Sequence, residues 1–142
     1  MIFETLLATF ILGIVPIVNK YIIKFINIDT LLLTSTLFLF VVSFLYMFFS
    51  SEKKNIYKDL MNIQKNKYLY LLIFITSIFV FIANYLYLFV LNKNSAFIVT
   101  AIIASNPIIT AIFGYFLLKE NISFKNFIGM IGIITGVILL TN

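Results

Sequence analysis

The stretch SAFIVTAIIASNPIITAIFGYFLLKENISFKNFIGMIGIITGVILLTN, Ser95 to Asn142, decides the fold. It holds two apolar runs separated by one short polar break, Lys119 to Lys125. The first run, Ser95 to Leu118, is about 24 residues without a charge, roughly 36 Å of helix, enough to cross a bilayer with some tilt. The second, Asn126 to Leu140, is shorter and Gly-rich, with Gly129, Gly132 and Gly136.

Composition carries the same message to the rest of the chain. Of 142 residues, 63% are hydrophobic and only 11% charged. A soluble domain carries about 25% charged residues, so this chain has too little polar surface to live in water. The membrane class follows before any motif is read. All basic residues are Lys, and the net charge is +5. Because the Lys residues lie between hydrophobic runs, they read as loop charges at a membrane face rather than as a nucleic-acid patch. With no Cys and no His, disulfides, thiol catalysis and Cys or His metal sites are excluded.

Upstream, three more apolar segments appear. Ile2 to about Ile23 has no basic leader and no small-residue cleavage site, so it reads as a retained span with Pro16 inside it. Leu31 to Phe49 is the second span and Tyr68 to Leu91 the third. Between these two lies the only substantial polar loop, Ser50 to Lys67, where Ile56, Leu60 and Ile63 recur at helical spacing among Lys residues. An amphipathic surface helix and an irregular solvated loop both fit that pattern. The expected architecture is an all-α membrane protein, a five-helix transmembrane bundle forming one domain over residues 1–142, with spans near 2–23, 31–49, 68–91, 95–118 and 126–140.

Five spans put the termini on opposite sides. Lys53, Lys54, Lys58, Lys65, Lys67, Lys119 and Lys125 fall on the side of the N-terminus, seven in all; Lys20, Lys24 and Lys93, three, fall on the other. The positive-inside rule then predicts a cytoplasmic N-terminus and an outside C-terminus; the expected location is the plasma membrane.

The order of motifs carries a resemblance. Asn106-Pro107 lies within an apolar run that ends in Gly114 and Leu117-Leu118-Lys119-Glu120; a short turn follows, then Gly129, Gly132 and Gly136. Asn84-Tyr85-Leu86-Tyr87 and Ser95-Ala96 stand upstream. This resembles the C-terminal end of an EamA-type domain of the drug/metabolite transporter superfamily. The resemblance implies a solute carrier. With no phosphate loop, nucleophile–base pair or metal constellation in the sequence, neither an enzymatic role nor a cofactor is expected. Full-length relatives have ten helices in two inverted halves around a midplane cavity, and this chain is similar to one half. An odd helix count inverts a tandem copy automatically. The implied partners are the bilayer, a small-molecule solute, and a second half-unit as an antiparallel homodimer or a heterodimer. Small multidrug exporters of the same superfamily centre on a carboxylate in their first helix. The corresponding position here falls near Leu12, and no Asp or Glu lies at the centre of any span.

Three helical faces are poorer in bulk and richer in hydrogen-bonding groups than lipid contact calls for. They are Thr9, Gly13, Pro16 and Lys20; then Ser77, Asn84 and Tyr87; then Thr100, Ala104, Pro107, Ala111 and Gly114, with Asn106 and Thr110 at the edge. Candidate solute contacts are Asn84, Tyr87, Asn106, Thr110 and Lys20. Each has a plainer reading: stripes of small residues pack helices, Asn84 bonds across helices, and Lys20 snorkels to the interface. Ser105 points away from the small stripe and bonds its own backbone. Pro107, Gly114, Glu120, Gly129, Gly132 and Gly136 are read as structural. Glu120 is expected to bond backbone N–H groups at the start of the last helix. Gly132-x-x-x-Gly136 is expected as a close-packing surface, within the bundle or between protomers. Lacking a central acid, the expected carrier handles neutral, zwitterionic or amphipathic metabolites by alternating access. The rivals are a multidrug-type cation exporter and a non-transporting subunit that scaffolds another membrane protein.

Overall fold

The computed structural model describes residues 2–141; Met1 and Asn142 lie outside the described residues, and the expected outward C-terminus with them. The described residues form helices α1 (Ile2–Ile22), α2 (Ile28–Phe49), α3 (Lys53–Lys65), α4 (Lys67–Lys93), α5 (Ala96–Ile103), α6 (Asn106–Phe113), a π-helical turn (Gly114–Leu118) and α7 (Phe124–Thr141), with no strand among them. Among the described residues five segments are long and apolar enough to cross a membrane: Phe3–Ile22, Ile28–Phe49, Lys67–Lys93, Ala96–Leu118 and Phe124–Thr141.

The physical reason for helix throughout is the solvent. Hydrocarbon offers no hydrogen bonds, so each span must satisfy its own backbone groups. The hydroxyl side chains follow the same logic. Thr9 donates to Thr5 O (2.8 Å), Thr36 to Leu32 O (2.7 Å), Ser43 to Leu39 O (2.7 Å) and Ser77 to Ile73 O (2.9 Å). Each O–H is paired within its own turn and can face lipid at little expense. Large apolar side chains are open accordingly: Phe10 is 68% exposed, Phe38 71% and Phe79 66%. In water such a surface drives aggregation; in a bilayer it is the ordinary lipid-facing surface.

Contacts divide the chain into two units, Met1–Lys20 with Lys93–Asn142, and Tyr21–Asn92. In the first unit α5 packs on α7, and Val99 and Pro16 are buried. In the second α2 meets α3, and Leu31, Leu32, Leu88 and Leu91 are buried.

The polar loop of the second unit resolves to a helix, α3, held at both ends. On the N-terminal side Ser50, itself buried, accepts the Glu52 N–H on its Oγ (3.1 Å), and the Asn55 amide donates to the Glu52 carboxylate. On the other side a single residue, Asn66, both ends α3 and caps α4. Its N–H donates to Asn62 O (3.0 Å), while its Oδ1 accepts the N–H groups of Tyr68 (3.1 Å) and Leu69 (3.3 Å).

Candidate functional site

The fourth apolar run is not one helix. α5 stops at Ile103, Ala104 and Ser105 form a turn, and α6 starts again at Asn106. Pro107 explains where the break falls. It offers no N–H to Ile103 O, and its ring crowds that same carbonyl. Ser105 makes the break comfortable: its N–H donates to Ile102 O at 3.1 Å, its Oγ–H donates to the same oxygen at 2.5 Å, and its own carbonyl accepts from Ile108 N–H at 3.0 Å. Ser105 therefore bonds its own backbone, as expected. Ala104 and Ser105 keep right-handed helical torsions (φ −61°, ψ −9° and φ −79°, ψ −5°), so the chain tightens there without reversing, and this turn falls inside the small-residue stripe Thr100–Ala104–Pro107–Ala111–Gly114.

Asn106 and Thr110 sit just beyond the break, in the first unit. Both are exposed. Thr110 Oγ1 donates to Asn106 O at 3.1 Å and lines a hollow of about 420 Å³ with Ile109, Phe113, Gly114, Leu117, Leu118 and Glu120. The Asn106 carboxamide makes no hydrogen bond to any described residue, unlike the hydroxyls around it.

The end of this span closes through Gly114. Lys119 adopts a left-handed conformation (φ 55°), and the N–H groups of Lys119 and Glu120 both turn back to Gly114 O, the latter at 3.1 Å. The Glu120 carboxylate folds over Gly114, where a Cβ would lie 2.8 Å from its Oε2. A side chain at 114 would displace this exposed, flexible carboxylate rather than meet backbone. Glu120 thus differs from its expected role at the start of the last helix. Ser123 occupies that place, its Oγ accepting the Asn126 N–H at 3.2 Å.

Lys20 is half-buried, and its Nζ donates to Asn94 O at 2.8 Å. The ammonium thereby meets the carbonyl-rich end of α4, where a cation is favoured. Neither expected reading of Lys20, snorkelling or solute contact, included this bond. Beside it the half-buried Asn19 carries a carboxamide with no hydrogen bond among the described residues. The signal for Asn19 was present, an amide inside an apolar helix, but Lys20 next to it marked the position as a span end.

Asn84 and Tyr87 lie on α4, in the second unit. Asn84 is exposed, without a hydrogen bond to its carboxamide among the described residues; Tyr87 is half-buried. Ser77, on the same face by spacing, lines a hollow of about 390 Å³ with Leu72, Ile73, Thr76 and Val80. In the first unit, the α7 glycines are open: a Cβ at Gly129, Gly132 or Gly136 would find nothing within 4 Å. Among the described residues no group of three or more acids is placed to hold a metal ion.

These features define a class: a multi-pass helical membrane protein with unbonded amides in its spans. Against families of known proteins the match covers residues 1–142, and the chain belongs to the EamA-like transporter family. It is a membrane transporter of the drug/metabolite transporter superfamily, a family of transporters rather than enzymes. Neither curated proteins nor solved structures yielded a match.

Proposed function

We propose that this transporter carries neutral, zwitterionic or amphipathic metabolites by alternating access, with Asn106 and Thr110 beside the broken span among the residues that meet the solute. The observation that carries the reading is the break itself. A discontinuous span at membrane depth is tolerated where it lines protein or a cavity, and it offers half-helix ends and freed carbonyls to a ligand. An amide left unbonded there is costly in lipid and useful to a solute with hydroxyl, amide or amino groups. The absence of a carboxylate at the centre of any span argues against a bare cation, which needs a counter-charge in hydrocarbon. Asn84 and Tyr87 join the proposal through their unusual face on α4. Lys20, whose ammonium donates to the Asn94 carbonyl, remains a candidate solute contact, since an ammonium can donate to more than one acceptor.

Uptake and efflux in proteoliposomes, screened over such solutes with and without a pH gradient, test this directly. Asn106→Leu and Asn84→Leu should each lower transport by roughly 5- to 150-fold, the loss of one desolvated hydrogen bond, while insertion persists. Normal flux in both variants removes the amides from the path. No flux of any solute by well-folded wild-type protein favours a scaffolding subunit.

The transporting form in this proposal is a pair of five-helix units in opposite orientation, set in the plasma membrane, each forming one domain. For the chain itself we propose the N-terminus inside and the C-terminus outside. The second unit is another copy or a related chain, and the open glycine face of α7 is the proposed contact. Because no neighbour lies within 4 Å of a Cβ there, Gly132→Leu with Gly136→Leu should leave monomer stability unchanged. Crosslinked dimer and transport should fall together. Retained dimers with full transport would sink the interface.

A further inference from the structure

We infer that α3 is an interfacial helix that seats its Tyr57–Leu60–Met61 side in the bilayer boundary and binds anionic lipid headgroups through Lys54, Lys58 and Lys65. Three observations meet on this element. The first is its faces. At about 100° per residue, Ile63, Ile56, Leu60, Tyr57 and Met61 lie along one side, with Lys53 and Gln64 from the two end turns between Leu60 and Tyr57, and Lys54, Lys65 and Lys58 fall within roughly 40° of arc next to Met61. Asn55, Asn62 and Asp59 occupy the remaining side.

The second is exposure. Ile56 and Ile63 are half-buried within the unit, whereas Leu60 is 52%, Met61 46% and Tyr57 70% exposed. The apolar arc is thus only partly covered by its own unit, and the uncovered part is the part that borders the lysines.

The third is confinement, which says what covers the rest. α3 is tied to two spanning helices that end at the same membrane face. Residues 50–52 allow at most about 14 Å between Phe49 and Lys53, and Asn66 alone joins α3 to α4. A 13-residue helix is about 20 Å long, so neither end can leave the interface by more than its short tether. The caps at Ser50 and Asn66 hold both tethers in fixed conformations. A helix held there with an apolar arc flanked by cations meets the headgroup layer first, and the charge selects anionic lipid.

The chain contains no Trp, so a single introduced one reports alone. Leu60→Trp and, on the opposite side, Asn62→Trp are reconstituted in phosphatidylcholine vesicles with and without phosphatidylglycerol. Either lipid carries bromines on its acyl chains. The expected result is blue-shifted emission and strong quenching for Leu60→Trp, and acrylamide-accessible, weakly quenched emission for Asn62→Trp. Brominated phosphatidylglycerol should quench Leu60→Trp about twofold better than brominated phosphatidylcholine. That preference should vanish when Lys54→Gln, Lys58→Gln and Lys65→Gln are added, and shrink in high salt. Tyr57→Trp, on the same arc, serves if Leu60→Trp does not insert. Emission characteristic of water overturns the proposal. So does blue-shifted emission that no brominated lipid quenches, which would mean that protein covers the arc. Equal quenching by both lipids, unchanged by the lysine substitutions, overturns the headgroup assignment.

Discussion

Two spans carry a proline, and only one of them breaks. Pro16 lies inside α1, which runs unbroken from Ile2 to Ile22; Pro107 coincides with the interruption between α5 and α6. Each removes one N–H and crowds the carbonyl four residues back, Leu12 in one case and Ile103 in the other. The difference lies in the neighbours. Pro16 follows Ile14 and Val15, which offer the backbone no alternative bond, and its ring is buried. Pro107 follows Ser105 and Asn106, residues that compete for backbone groups, and Ser105 takes Ile102 O twice over. Proline permits a break; an adjacent residue that can satisfy the loose ends makes the break the stable choice.

The comparison breaks most visibly at Pro107. Pro107→Ala restores a donor to Ile103 O and should let α5 and α6 fuse into one helix. Stability in detergent should rise by about 1 kcal/mol, a few degrees in Tm, while proteoliposome flux falls sharply. Pro16→Ala is the matched control. It supplies the same missing donor to a helix that is already continuous, so a similar rise in Tm should come with unchanged flux. Equal flux in both variants would separate the break from transport.

Much of this molecule was legible in its sequence. Five spans stood out because long apolar runs bounded by Lys leave the chain no other use for those residues. Asn84 and Asn106 stood out because an amide in such a run is conspicuous. The break itself was harder to read. Asn106-Pro107 was visible, yet Pro16 shows that proline alone does not decide, and the apolar run from Ser95 to Leu118 carries no other mark of an interruption. The α3 helix was readable as spacing in Ile56, Leu60 and Ile63, but a mainly polar helix of three to four turns is marginal by itself. The bonds at Ser50 and Asn66 that secure it are properties of the folded corner. Lys20 was the least legible: its carbonyl partner lies 74 residues away, and no local pattern points to Asn94.

The smallest expected effect sharpens the comparison from the other end of the broken span. There too the helix departs from the regular ladder, but the departure falls on a residue poorly suited to it. Lys119 is the one described residue with a left-handed φ, 55°, and it has a Cβ. That conformation costs an L-residue roughly 1–2 kcal/mol that glycine does not pay. Part of the gain from glycine is returned through the greater freedom of the unfolded chain. Lys is nonetheless what the position carries, and its charge explains why: it marks the polar edge of a span whose preceding 24 or so residues hold none. Charge and conformation separate in a pair of variants. Lys119→Ala removes the ammonium and keeps the Cβ; Lys119→Gly removes both. Gly should therefore exceed Ala in stability by about 0.5–1 kcal/mol, with flux the same in the two. Identical Tm values for Gly and Ala would mean that the turn onto Gly114 O relaxes once the lysine is gone, and that the strain belonged to the side chain rather than to the backbone.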